Sequence, residues 1–283
     1  MREFKSLFKS FKFTVLVLIF TSLCSFAKDN VITVAGSTTI LPVSEKWAKV
    51  FKNKTGVTIN VHGGGSTGGI KATRLGTADI GASSRELSEG EKKSLKEIVI
   101  GKDALAVIVN KSNQIESITI DDLRKIFAGG IKNWKELNGE DKPIQVVNRE
   151  SGSGTRDLFV DAVMKAELAD KTQKIIPMAL TSIVNNANAE VKESVKLIPG
   201  SIGYVSVGFT DETVKILKIN SVFPTDENIL SGNYSLVRNL YYLVKDEGAN
   251  NKQVSRFISY ILSKEGQELI LEEGFFPILS STN

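Results

Sequence analysis

Arg149 opens the segment Arg149-Glu150-Ser151-Gly152-Ser153-Gly154-Thr155, and two further segments share its glycine- and hydroxyl-rich composition. They are Gly36-Ser37-Thr38-Thr39 and Gly63-Gly64-Gly65-Ser66-Thr67-Gly68-Gly69. Each of the three is followed at once by a helix-like pattern. Glycine lets backbone N–H groups approach a ligand with no Cβ in the way. A helix N-terminus leaves four N–H groups unpaired and carries partial positive charge, so three such termini aimed at one point would hold an anion. Arg149 adds a permanent charge with fork geometry suited to a tetrahedral oxyanion. The chemistry implied is capture of phosphate or a close relative.

Two enzymatic readings compete for the second segment. Gly64-Gly65-Ser66-Thr67-Gly68 matches the G-x-S-x-G nucleophile elbow, which would make Ser66 the nucleophile of a phosphoester hydrolase or esterase. That chemistry needs a base, and the only histidine, His62, lies four residues before Ser66 rather than later in the chain. The same run approaches a P-loop, but Ile70 stands where its lysine should be. No metal constellation is visible, Asp121-Asp122 fits the first turn of a helix, and no cofactor is called for.

Composition narrows the setting. Arg2, Lys5, Lys9 and Lys12 precede an apolar run from Phe13 to Leu23, and Ser25-Phe26-Ala27 follows with small residues, the pattern of a signal peptide over residues 1–27. The run is too short for a permanent membrane anchor. Export to the periplasm follows, either by cleavage after Ala27 or with lipidation of Cys24, the only cysteine. Cleavage after Ala27 is favoured, because the bulky Leu23 adjoins Cys24. Without residues 1–27 the chain carries 32 Lys and Arg against 31 Asp and Glu. The apparent basicity therefore belongs to the leader, and nucleic-acid binding loses its main support.

The elements that must position the three segments alternate. Strands are expected at Val31–Val34, Val57–Val61, Ala78–Ser83, Ala104–Asn110, Ile144–Val147, Gly203–Val207, Val214–Ile219 and Asn239–Val244. Helices are expected at Ile40–Asn53, through Ile70 and Leu75, at Thr119–Phe127, after Thr155, and from Lys252 to Glu273, with a Ser88/Glu91 capping box opening another. Alternation argues for an α/β fold with parallel sheets and helices on their faces. The apolar strands at Ala104–Asn110 and Asn239–Val244 fit a chain crossing twice between two lobes, 28–108 with 239–283 and 109–238. A single doubly wound sheet is the alternative.

Taken in order, several segments resemble the periplasmic phosphate-binding proteins of ABC-type phosphate importers, the PstS family. They are Ala35 to Thr39, Gly63 to Gly69, Ala78-Asp79-Ile80-Gly81-Ala82-Ser83-Ser84-Arg85, Ile126 to Trp134, Arg149 to Thr155, Gly203-Tyr204-Val205 and Gly266-Gln267 to Pro277. The resemblance implies a two-lobed periplasmic binding protein-like fold (type II) with a two-strand hinge and the ligand in the cleft between lobes. It implies a non-enzymatic receptor, expected to be monomeric, that delivers inorganic phosphate to a membrane permease and its ATPase. Family contacts carry over onto Thr38, Thr39, Ser66, Arg149, Ser153, Gly154 and Thr155. At one position the chain departs: where relatives place an Asp that accepts a proton from phosphate, this chain has Ser84, followed by Arg85 and Glu86. Another tetrahedral oxyanion, sulfate, therefore stands as the alternative ligand.

Overall fold

Fifteen consecutive residues, Lys96–Asn110, make one strand that belongs to two halves of the molecule at once. In this computed structural model, which describes residues 30–167, 171–245 and 251–278, that strand is the fourth of nine in the main sheet. Calls on the leader, including Cys24 and cleavage after Ala27, lie outside the described residues. The strands are β1 (Val31–Gly36), β2 (Thr58–His62), β3 (Ile80–Ser83), β4 (Lys96–Asn110), β5 (Gln145–Arg149), β6 (Ile183–Asn185), β7 (Ser201–Ser206), β8 (Val214–Ile216) and β9 (Val237–Val244). Their order is β2-β1-β3-β9-β4-β7-β5-β6, with β8 on β4.

The partner of β4 changes along its length. Residues 96–104 pair with β9 and residues 105–109 with β7. Ala104 to Val109 are fully buried, so both faces of this stretch are covered, which is why it reads as a continuous apolar run. β9 returns alongside, with Leu240, Tyr242, Leu243 and Val244 buried. These two strands run through the middle of the sheet and connect its two halves. The expectation of parallel sheets holds only at the flanks. β1 pairs in parallel with β2 and β3, and β5 with β6 and β7, whereas β9 and β4 are antiparallel to their neighbours. Strands that serve as crossings and returns run opposite ways, so the centre cannot be parallel.

Seven helices flank the sheet and serve the argument below: α1 (Leu41–Thr55), α2 (Gly65–Leu75), α3 (Ile120–Phe127), α4 (Gly154–Phe159), α5 (Asn188–Leu197), α6 (Lys252–Ile261) and α7 (Lys264–Glu272). Thr119 caps α3 and places Asp121 and Asp122 in its first turn, where carboxylates are favourable. The helix expected over Lys252–Glu273 is broken at Leu262–Ser263, because Ser263 caps a new one. α2 starts inside the glycine run, so most of that run is helix and not loop. The reason is packing: a Cβ on Gly69 would lie 2.5 Å from the Ala35 carbonyl oxygen and 2.8 Å from the Gly36 Cα. Glycine here lets a helix lie directly on β1.

Each lobe has its own core. Trp47 and Phe51 of α1 pack with Tyr242 and Phe257 on one side. In the other lobe, Phe159 of α4 stacks on Tyr204 of β7 at 4.1 Å and 8° between planes, with Phe127 beside both. That stack anchors the last residue of α4, and the backbone N–H of Arg149 donates to the Tyr204 hydroxyl at 3.4 Å. The core of the second lobe thus sets the third glycine-hydroxyl segment against the cleft.

Candidate functional site

The C-terminal ends of β1, β3 and β5 deliver Ser37 to Thr39, Ser84 and Arg149 to one region, as ligand sites in open α/β sheets require. Arg149 is 2 % exposed. Its guanidinium grips Glu150, Nε to Oε2 at 2.7 Å and Nη2 to Oε1 at 2.9 Å, the bidentate fork that holds a buried charge in one orientation. Nη2 also donates to Thr38 Oγ1 at 3.2 Å and to the Asn186 carbonyl at 3.3 Å. Nη1 is buried and has no protein partner. A buried charged donor left unpaired is costly, so the position fits an anion.

The three segments meet across the cleft. Thr39 Oγ1 and Thr155 Oγ1 lie 3.1 Å apart, and the Thr67 N–H donates to the Gly152 carbonyl at 3.1 Å. The Ser84 N–H donates to Ser66 Oγ at 3.0 Å, the two hydroxyls are 3.3 Å apart, and Ser37 Oγ donates to Ser84 Oγ at 3.0 Å. Gly154 sits against this cluster, since a Cβ there would fall 2.5 Å from both Ser66 Oγ and Ser84 Oγ. Ser153 caps α4 by accepting from the Arg156 N–H. Thr38, Thr39, Ser66, Ser84, Arg149, Ser153, Gly154 and Thr155 therefore form one cluster, with the lobes in contact. His62 is exposed at the end of β2.

Sequence reasoning missed a second cation. Arg238, on β9, donates from Nε and Nη2 to Asp103 Oδ2 at 2.9 and 2.6 Å. Nη2 also reaches Thr155 Oγ1 at 3.0 Å and Thr39 Oγ1 at 3.2 Å, and Nη1 donates to the Ser84 carbonyl at 3.2 Å. Ser206 donates to Asp103 Oδ1, and Asn188 donates to Thr39 Oγ1. Arg238 and Asp103 face each other in register, one residue from where β4 changes partner. Burial pushes the Asp103 carboxyl up, against the pull of Arg238 and Ser206, as expected for an ion pair taken out of water. The signal that could have found the pair is one charge at the edge of each of two buried apolar strands. A cavity of about 300 Å³ adjoins the cluster and shares Ser84 and Arg238 with it.

At the mouth of that cavity Arg85 spans the lobes. It holds Glu91 through Nη1 at 2.9 Å and Nη2 at 3.0 Å and offers Nε to Asp157 Oδ2 at 3.1 Å. The hydrogen bonds from Arg85, with lesser help from Ser88, hold the Glu91 carboxyl down at about 2.

Two α/β lobes joined by paired strands and closed over hydroxyls, helix starts and an arginine define a binding protein of the periplasmic class. The description "PBP superfamily domain" matches residues 26–265, and the chain belongs to that superfamily. Within it, the chain is a member of the PstS family. It is 34 % identical over 279 residues to phosphate-binding protein PstS of Borreliella burgdorferi, covering 93 % of this chain and 98 % of that protein. Against PstS of Bacillus subtilis the identity is 32 %, with 87 % and 80 % covered. Among solved structures, a Clostridium perfringens ABC-transporter substrate-binding protein with bound phosphate superposes with a TM-score of 0.81 at 35 % identity, covering 88 % of this chain and all of that one. An ABC-type phosphate transport receptor from Vibrio cholerae gives 0.71 at 32 %, covering 87 % and 99 %.

Proposed function

We propose that this protein captures inorganic phosphate outside the cytoplasm, hands it to a membrane permease with its ATPase, and catalyses nothing itself. One observation carries the reading: Arg149 is buried and forked onto Glu150, yet leaves Nη1 without a protein partner among hydroxyls from three segments. Arg149 Nη1, the hydroxyls of Thr38, Ser66, Ser153 and Thr155, and the first N–H groups of α2 and α4 would bind the phosphate oxygens. Thr39 and Ser84 would steady the hydroxyls behind them. The phosphate bound in the Clostridium perfringens relative supports the same ligand here.

The hydrolase reading has no observation in its favour. Among the described residues, Ser66 is hydrogen-bonded to Ser84, which cannot serve it as a base. No helix of the described residues is long and apolar enough to cross a membrane, so delivery would require a separate permease. We place the two lobes at 28–108 with 239–283 and at 109–238. The partner change of β4 between Ala104 and Leu105 supports a crossing close to those limits. A hinge there would let the cleft open, since a shared site is completed only when its lobes meet.

Calorimetric titration of the purified protein with inorganic phosphate tests the proposal. Saturable one-to-one binding that raises the melting temperature is expected. Absence of heat and of any thermal shift would overturn it.

A further inference from the structure

Beyond α7, the segment Gly274-Phe275-Phe276-Pro277 leaves the helix through a left-handed turn at Gly274 and then extends. Successive side chains of an extended segment point to opposite sides, and here the two sides are different cores. Phe275 is buried in the core that holds Trp47, Phe51 and Tyr242. Phe276 is buried in the core that holds Phe127, Phe159 and Tyr204. Two adjacent residues are thus anchored in the two lobes.

The same segment fills the edge of β4 where its partner changes. β7 pairs with β4 only as far as Leu105, and β9 covers the other edge. At Lys102 the backbone N–H donates to the Phe276 carbonyl at 2.8 Å, and the Lys102 carbonyl accepts from the Phe276 N–H at 2.9 Å. Backbone groups that the end of β7 leaves over are therefore paired by the tail. Asp103, whose carboxylate holds Arg238, is the next residue along β4.

Each end of the segment is held. On the first lobe, the buried Gln267 donates from Nε2 to the Ile100 carbonyl at 3.0 Å and accepts on Oε1 from the Ile278 N–H at 2.9 Å. Ile100 is the extra residue of a bulge, since Gly101 pairs with Leu240 and Val99 with Tyr241. On the second lobe, the turn after β7 lies directly on the tail. A Cβ on Gly208 would fall 2.4 Å from the Glu273 carbonyl oxygen and 3.3 Å from the Phe275 ring.

Resting on the reading of the molecule as two lobes that close on phosphate, we infer that residues 273–277 form a strap beside the crossing strands that favours the closed cleft. Phe276 and Gly208 are its positioning residues on the second lobe, and neither belongs to the hydroxyl and arginine cluster. The strap's contacts are complete with the lobes together, as they stand here. Close-packed cores do not stretch, and neighbouring Cα atoms stay about 3.8 Å apart. Rotation of the lobes must therefore drag one of the two phenylalanines against its core or lift the tail from Gly208. Those contacts weight the closed population, and apparent affinity scales with that population.

Titration of the wild type, Phe276→Ala and Gly208→Ala with inorganic phosphate tests the strap, with small-angle scattering of each protein. Gly208 lies outside the left-handed region, so its added methyl acts through the clash with Glu273. Both variants should bind phosphate at least about fivefold more weakly, the lower end of coupling between separate sites. At equal, sub-saturating phosphate both should also show a larger radius of gyration than the wild type. Phe276→Leu, which keeps an apolar side chain in the second core, should recover most of the lost affinity. If Phe276→Ala does not fold, Gly208→Ala decides. Affinities of the folded variants within about twofold of wild type, below the range of such coupling, overturn the strap and leave phosphate capture standing. A wild type that binds no phosphate overturns capture. The ligand-free scattering then decides the strap: a larger radius in the variants keeps it, and an unchanged radius overturns it.

Discussion

Arg149 and Arg238 are both buried arginines forked onto a carboxylate, yet they occupy opposite kinds of place. Arg149 ends β5 in a glycine-hydroxyl segment, its carboxylate is the next residue, and one of its nitrogens is unpartnered. Arg238 lies on a crossing strand, its carboxylate is 135 residues distant, and all three of its nitrogens are bonded within the protein. The first has spare donor capacity and local support, which suits a group that meets a ligand. The second has every nitrogen engaged by the protein and ties both lobes to the crossing strands, which suits a group that holds the others in place. The same side chain thus binds or builds according to what its guanidinium has left to give.

The hardest break in this comparison is Arg238→Ala. Stranding the buried Asp103 should lower stability by about 3–5 kcal/mol, read as a shift in the denaturation midpoint without ligand. Replacing both members by apolar residues, Arg238→Met with Asp103→Leu, should recover most of that loss, because a buried pair gains little over its own desolvation. A single variant as stable as wild type would remove Arg238 from the framework.

Arg149→Ala should act the other way, weakening phosphate binding by at least ~3 kcal/mol through loss of the buried counter-charge, with a smaller change in stability than Arg238→Ala. An isotherm within a factor of three of wild type would sink this assignment.

Gly154→Ala asks whether both arginines need the closed cleft. Its methyl group would press on Ser66 and Ser84 and should oppose closure by about 1–3 kcal/mol, as overpacking does. Small-angle scattering should show the wild type contracting with phosphate and this variant contracting less. Equal contraction in both would mean that the lobes do not meet at Gly154.

The smallest effect belongs to Arg85, whose ion pairs are partly solvated. Asp157→Asn should change phosphate affinity by ~0.5–1 kcal/mol, mostly through faster release as the clasp between lobes is lost. Glu91 is depressed from its ordinary 4.5 to about 2, so the stability it contributes is full above the ordinary value and is lost as pH falls through about 2. Glu91→Gln should flatten the acid limb of a stability profile taken between pH 5 and pH 2.

Much of the site could be read before the fold was known, because its parts are local. Glycine beside hydroxyls before an amphipathic run marks a helix start in any context, and Arg149 with Glu150 and Ser153 to Thr155 forms a contiguous string. The alternation of strands and helices and the two apolar crossing strands were legible for the same reason: period and burial leave a pattern in neighbouring residues. The antiparallel centre of the sheet was not, since strand direction depends on the path of connections far away. Nor was the role of the glycine run as helix, because the cause is the nearness of Gly36 and Ala35 on another element.

By itself, then, the sequence determined the α/β class, the three glycine- and hydroxyl-rich segments and the family to which the chain belongs. Tertiary structure alone decided that Arg238 reaches Asp103, Thr39 and Thr155, that the Ser84 N–H and hydroxyl meet the Ser66 hydroxyl, and that Arg149 Nη1 has no protein partner. Those facts depend on which lone pair or N–H is already used by a partner tens of residues away. Hydrogen-bond capacity is consumed in space, and no local pattern records where it has been consumed.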